Sequence, residues 1–87
     1  MELSAELSLY PLTGDVDTSV LAFIEDLHES GEISVVTNTM STQISGEWDA
    51  VMSAVNIALK RSSQRIDRQV LVVKYLPRHR IEIGAEG

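Results

Sequence analysis

The feature that most constrains the fold of this chain is the order in which two hydrophobic periods alternate along it. Four segments carry the alternating or β-branched pattern of strands, and two carry apolar residues at the spacing of amphipathic helices. In chain order they run strand, helix, strand, strand, helix, strand. The predicted strands are residues 3–10, 33–37, 39–45 and 70–75.

The first predicted helix has an apolar face that runs from Val20 to Leu27. Either Asp17 or Thr18 can cap its start, since both side chains accept hydrogen bonds from backbone N–H groups. Gly31 is the type of residue that follows a helix end.

The second predicted helix has the longer apolar stripe, from Trp48 to Leu59. We expect Gly46 to break the strand before it. Its first turn is acidic, and residues 60–61 make its last turn basic, so that both ends complement the helix dipole.

This order of elements predicts an α+β domain, the ferredoxin-like βαββαβ sandwich, in which a four-stranded antiparallel sheet carries two helices on one face. We expect a single domain over residues 1–87, with a loosely held tail at 81–87. The last strand is apolar on both faces, so one apolar row points away from the helices. A small domain rarely leaves such a row in water, which predicts a homo-oligomer.

Composition and charge exclude several classes of function. Without cysteine the chain has no disulfide, thiolate metal site or cysteine nucleophile. We find no signal sequence and no membrane-spanning apolar run, and expect a cytoplasmic protein without a membrane partner. All seven basic residues lie between Lys60 and Arg80, but the net charge of −6 argues against nucleic acid as a partner. We expect these residues on a solvated helix end and against acidic surfaces of a partner subunit.

No residue pattern in the chain indicates catalysis. His28 and His79 are the only histidines, and neither has carboxylates at metal-ligand spacing. A glycine-rich phosphate loop and a glycine-flanked nucleophile are both missing. The sequence therefore predicts a non-enzymatic protein with no catalytic residue, no metal and no cofactor.

The polar segment from Asn38 to Trp48 is the candidate binding region. It offers hydroxyl and amide groups, a carboxylate at Glu47 and an indole that could stack on a planar cation. The alternative is that Trp48 packs in the core at the head of its helical stripe. The segment would then be an ordinary joint between a strand and a helix.

Three segments, MSTQISGEWDAVM (40–52), LSLYPL (7–12) and VLVVKY (70–75), resemble the YkoF-like thiamine-binding family. The resemblance covers nearly the whole chain. It implies a homodimer or homotetramer, assembled through the sheets, that binds thiamine or its hydroxymethylpyrimidine part without catalysis, as a carrier or sensor. The ligand contacts that it implies are Tyr10, Asn38, Thr39, Ser41, Thr42, Glu47 and Trp48.

One departure from the family pattern concerns the hairpin turn, where Asn38 and Thr39 precede Met40 and relatives often carry Gly-Pro. This changes the turn and, with it, the ligand that fits. The other function open to such a chain is a regulatory or scaffolding module that acts through its oligomer surface and binds no small molecule.

Overall fold

The computed structural model describes residues 1–81 and has the predicted sandwich architecture. The sheet has the strand order β2-β3-β1-β4 with every neighbouring pair antiparallel, and both helices cover one of its faces. This confirms the ferredoxin-like α+β fold. Most of the predicted loose tail lies outside the described residues. The elements are β1 (Glu2–Pro11), α1 (Val16–Glu29), β2 (Ser34–Thr37), β3 (Thr42–Glu47), α2 (Trp48–Arg65) and β4 (Gln69–Pro77).

The hydrophobic core fills the space between the sheet and the two helices. From β1 it takes Leu3, Ala5 and Leu7, each at most 2% exposed, as the period-two pattern predicts. Burial of a leucine or isoleucine side chain contributes roughly 1.5–3 kcal/mol, so these positions hold the sheet against the helices. The other core residues are Phe23, Leu27, Ile44, Val51, Ala54, Val55 and Ala58.

Helix α1 is capped by Asp15, and the prediction of Asp17 or Thr18 is wrong by two or three positions. The Asp15 carboxylate accepts a hydrogen bond from the Thr18 N–H at 2.9 Å. This bond lowers the pKa of Asp15 from its ordinary value of 3.8. Beyond the other end of the helix, Gly31 has φ 75°, a conformation that glycine adopts without strain.

Gly46 lies inside β3, opposite Leu3 of β1, so the prediction that it breaks the strand is wrong. Glycine fits there because the neighbouring chain is close. A Cβ at this position would lie 3.2 Å from the Glu32 carbonyl oxygen and 3.2 Å from Cγ2 of Ile33. The strand also starts at Thr42 rather than residue 39, because the residues before it form a turn.

Helix α2 buries Val51, Ala54 and Ala58, whereas Trp48 at its start is 37% exposed. Val51, Val55 and Ala58 lie within the predicted stripe and are core residues, whereas Trp48 at the head of the stripe is not. The helix continues to Arg65, about one turn beyond the basic pair at 60–61 that was predicted to end it.

Four of the seven basic residues after Leu59 contact acidic residues of the same molecule. Arg61 and Arg65 lie 3.3 and 2.8 Å from the Asp26 carboxylate, which joins α2 to α1. The contacts with Glu29 and Asp26 raise the pKa of Arg61 above its ordinary value. Further ion pairs join Lys74 to Glu6 and Arg80 to Glu2.

The sheet face turned away from the helices, which we call the open face, carries the predicted apolar row. Val70, Val72 and Leu76 of β4 are 47%, 43% and 55% exposed on it. Beside them runs a crossing segment, residues 78–81, which turns back over β1 through Arg78 at φ 61°.

Two hydroxyl groups hold the crossing segment on the sheet. The Ile81 N–H donates to Ser45 Oγ at 2.8 Å, and Ser4 Oγ donates to the His79 carbonyl at 2.7 Å. The two hydroxyls are 2.8 Å apart, so the Ser45 hydroxyl donates to Ser4. Both serines are buried although they lie on the open face.

Candidate functional site

A cleft of about 210 Å³, here called the hairpin cleft, opens at one end of the sheet. Its apolar wall comes from α1, with Val20, Phe23 and Ile24. The end of β1, from residue 7 to residue 10, forms its floor. The turn between β2 and β3, residues 37–42, forms its polar side. The cleft thus combines an apolar surface with amide and hydroxyl groups, as small-molecule sites do.

Asn38 builds the turn beside the cleft. Its side-chain oxygen accepts hydrogen bonds from the N–H groups of Met40 at 2.8 Å and Ser41 at 3.1 Å. Its own N–H donates to the Ser41 carbonyl at 3.1 Å. This is an Asx turn, which an asparagine can form without the Asn-Gly pair of short hairpins. The side-chain nitrogen of Asn38 is not used in this turn, so it is the group that can face a ligand.

Ser41 connects the cleft to the open face. Its hydroxyl donates to a carboxylate oxygen of Glu6 at 2.8 Å and accepts from the Gln43 side-chain amide at 2.8 Å. The other oxygen of Glu6 lies 3.7 Å from the Lys74 ammonium group. The Ser41 hydroxyl is therefore engaged with the Glu6 carboxylate and the Gln43 amide, outside the cleft.

The remaining predicted residues at this end differ in exposure. Thr42 is 5% exposed, and its hydroxyl lies 3.1 Å from the hydroxyl of Thr37. Tyr10 is 53% exposed at the rim, and Thr39 is exposed on the turn. Within residues 1–81, every fully buried side-chain nitrogen or oxygen has a hydrogen-bond partner. The side-chain polar groups available to a ligand are therefore solvated ones at the rim.

Glu47 and Trp48 lie at the opposite end of β3 from the cleft. Thr42 and Glu47 are the two ends of β3 and lie five residue steps apart, which is about 17 Å. The Glu47 carboxylate contacts the amino group of Met1 at 3.0 Å, and the Trp48 N–H donates to the Met1 carbonyl. The structure thus brings together five of the seven predicted residues, Tyr10, Asn38, Thr39, Ser41 and Thr42, and leaves these two apart.

The strand register explains why the cleft exists. β1 pairs with β3 only as far as Leu7 and Thr42, but with β4 as far as Pro11 and Gln69. The last four residues of β1 therefore have a strand neighbour on one side only. The hairpin cleft occupies the side on which β3 would otherwise continue, where the β2–β3 turn bends away from β1.

The sequence did not predict the apolar wall that α1 gives to the cleft, or the end of β1 that has a strand neighbour on one side only. The wall could have been found, since Val20 and Ile24 border the same helical face as the core residue Phe23. The unpaired end of β1 could not have been predicted, because it depends on how far β3 extends alongside β1. No periodicity within either strand sets that offset.

Comparison with protein families decides the relationship. A family model described as "Thiamine-binding protein" matches residues 5–85. The chain belongs to the thiamine-binding protein family. No curated protein matches it significantly.

Solved structures share the fold of this family member over almost its full length. A hypothetical protein from Methanocaldococcus jannascii has 29% identity and a TM-score of 0.79, with 98% of this chain and 89% of that chain covered. A Streptococcus pneumoniae protein has 26% identity and a TM-score of 0.80, with 91% and 89% covered. A Thermotoga maritima protein provisionally assigned to thiamine biosynthesis or salvage has 19% identity and a TM-score of 0.81, with 95% and 91% covered.

Two further observations concern residues 1–81 of this thiamine-binding protein family member. No three of their histidine, aspartate and glutamate side chains are close enough together to hold a metal ion. None of their helices is long and apolar enough to cross a bilayer.

Proposed function

We propose that this protein binds thiamine or its hydroxymethylpyrimidine part in the hairpin cleft, without catalysis, as a cytoplasmic carrier or sensor. The observation that carries the proposal is that five of the seven residues implied by the family resemblance line one cleft. Family membership over residues 5–85 supports the class of ligand. The Thermotoga maritima relative, assigned provisionally to thiamine biosynthesis or salvage, supports it in the same direction.

The size of the cleft favours one ring of the ligand over the whole of it. Sites for drug-sized molecules hold about 300–1,000 Å³, and this cleft holds about 210 Å³. A single planar heterocycle fits between the α1 side chains and the turn. The cationic part of thiamine would remain at the mouth, where the net charge of −6 favours a cation.

Titration calorimetry with thiamine and with hydroxymethylpyrimidine tests the proposal. We expect heat of binding with the wild type, and a loss of about 1–3 kcal/mol of binding free energy in Asn38→Ala, which removes both the turn bonds and the amide nitrogen. Asn38→Asp keeps the oxygen that holds the turn and is expected to bind more tightly than Asn38→Ala.

Trp48→Phe is the matched control for the position of the site. Because Trp48 lies at the other end of β3, we expect this variant to bind with wild-type affinity. Absence of heat with either compound at millimolar concentration would contradict the proposed function.

The apolar row on the open face supports a homodimer or homotetramer assembled through the sheets. Val70, Val72 and Leu76 are exposed together beside charged Glu6 and Lys74. The same row favours the second candidate function, an oligomeric scaffold or regulator without a ligand. A thermal-shift screen combined with light scattering separates the two. The scaffold predicts self-association and no rise in melting temperature with thiamine or hydroxymethylpyrimidine.

A further inference from the structure

We propose that the backbone N–H and C=O of Leu9 recognise the edge of an aminopyrimidine ring, the N–H donating to a ring nitrogen and the C=O accepting from the exocyclic amine. This rests on the function proposed above and names the atoms that would select the ligand. It makes β1 itself, more than the polar turn, the specific part of the hairpin cleft.

The direction of the Leu9 backbone groups follows from hydrogen bonds at the two ends of β1. The Arg78 N–H donates to the Glu2 carbonyl at 2.7 Å, and the Leu12 N–H donates to the Arg68 carbonyl at 2.8 Å. Even-numbered residues of β1 therefore turn their backbone groups towards β4. Odd-numbered residues turn theirs the other way, towards β3.

The pairing of β1 with β3 ends at Leu7, two residues before Leu9. Among the odd-numbered residues, Leu3 lies opposite Gly46, Ala5 opposite Ile44 and Leu7 opposite Thr42. The next residue in this series is Leu9, and a longer β3 would place Met40 opposite it. Met40 instead lies in the Asn38 turn and is 84% exposed. The backbone of Leu9 thus faces the hairpin cleft without a strand partner.

A strand residue in this position offers a donor and an acceptor side by side. In an antiparallel ladder, one residue exchanges both an N–H···O and an O···H–N bond with a single residue opposite. A ring nitrogen next to an amino group presents the same pair of complementary groups. Such a ligand would take the place of the β3 residue that Leu9 lacks. Leu9 is half-buried among residues that line the cleft, and they would shield the two ligand hydrogen bonds from water.

The exposed edge is too short to take a strand from a second protein. Beyond Leu9, the next odd-numbered residue is Pro11, which has no N–H to donate. Strands in proteins are typically about 5–6 residues long, and only one residue here offers both groups. A small molecule with one donor and one acceptor suits this edge better than a peptide.

The test compares two substitutions at Leu9 by calorimetry with hydroxymethylpyrimidine. Leu9→Pro removes the N–H, and Leu9→Ala keeps it while removing most of the side chain. We expect Leu9→Pro to bind at least about tenfold more weakly than Leu9→Ala, which corresponds to about 1.4 kcal/mol. The N,N-dimethylamino analogue of the ligand, which cannot donate to the Leu9 carbonyl, should lose at least about tenfold with the wild type.

Amide hydrogen exchange of the wild type keeps the proposal testable if Leu9→Pro does not fold. Saturating hydroxymethylpyrimidine should slow exchange of the Leu9 amide at least about tenfold and leave that of Leu21, on α1, unchanged. If the wild type binds but neither the Leu9 amide nor the dimethylamino analogue responds, the role of Leu9 is wrong and the proposed function stands. If the wild type binds neither pyrimidine nor thiamine, both proposals fail.

Discussion

At the scale of single residues, three positions decide local structure that hydrophobic periodicity does not predict. Asp15 starts α1, Asn38 closes the hairpin turn, and Gly46 lets the chain at Glu32 and Ile33 approach β3. The types of these residues were informative, since aspartate, asparagine and glycine favour caps and turns. Which residue would take each role could not be predicted, because neighbouring residues of similar type compete for it.

The Asp15 cap predicts a pH dependence of stability. The hydrogen bonds to the ionised carboxylate lower the pKa of Asp15 in the folded protein. The stabilisation is therefore complete above the ordinary aspartate pKa of 3.8, which applies to the unfolded chain, and is lost as the pH falls through the lower folded value. Urea unfolding at a series of pH values should show wild type losing more stability below about pH 4 than Asp15→Asn, which caps without ionising.

The matched control for this prediction is Asp17→Asn, which removes an acidic residue of the same turn and leaves the Asp15 cap intact. It should follow the wild-type profile. Parallel profiles for wild type and Asp15→Asn would show that the cap contributes nothing that depends on pH.

At the scale of elements, the sequence predicted the number, type and order of helices and strands, because each has its own apolar period. It placed their ends less well. β3 starts three residues later than predicted because the Asn38 turn occupies the residues before it. α2 ends beyond the predicted basic turn, and Arg65 in its last turn pairs with Asp26 of α1. The polar residues of the cleft could be named in advance. Their separation from Trp48 follows from the strand between them.

The crossing segment, residues 78–81, gives a prediction about Ser45. Ser45→Ala removes the hydroxyl that accepts from the Ile81 N–H and donates to Ser4, and leaves buried groups without partners. We expect the free energy of unfolding to fall by about 1–3 kcal/mol. Exchange of the Ile81 amide should accelerate, as measured by NMR.

The matched control for Ser45→Ala is Ser53→Ala, which removes a serine hydroxyl that is exposed to solvent on α2. Its free energy of unfolding should stay within about 0.5 kcal/mol of wild type. Equal effects of the two alanine substitutions would show that the hydroxyl pair does not hold the crossing segment.

At the scale of the whole molecule, the sheet has one face covered by helices and one face only partly covered by the crossing segment. The apolar pattern of β4 predicted an uncovered row, and Val70 and Val72 are exposed as expected. The sequence could not predict that the chain turns back over β1, because this depends on the backbone at Arg78 and on two buried serines.

Sedimentation velocity of surface variants tests whether the open face is the interface between subunits. Val72→Lys places a charge at the centre of the exposed row and should convert a dimer or tetramer to monomer without unfolding it. Leu21→Lys changes a 60% exposed residue on α1 and should leave the assembly intact. A monomeric wild type, or a Val72→Lys variant that sediments like wild type, would contradict this interface.

The pairing of the first strand with the last also determines when this chain can fold. In the pairing of β1 with β4, Leu3 lies opposite Pro77 and Pro11 lies opposite Gln69. β1 is one of the two central strands, and it has only β3 as a neighbour until β4 has been synthesised. During synthesis, the helices and the three strands β1, β2 and β3 can form first, whereas the complete four-stranded sheet requires residues 69–77. Loops of this length are slow to close. We therefore expect the β1–β4 pairing to complete the sheet last, with the β4-facing edge of β1 unpaired until then.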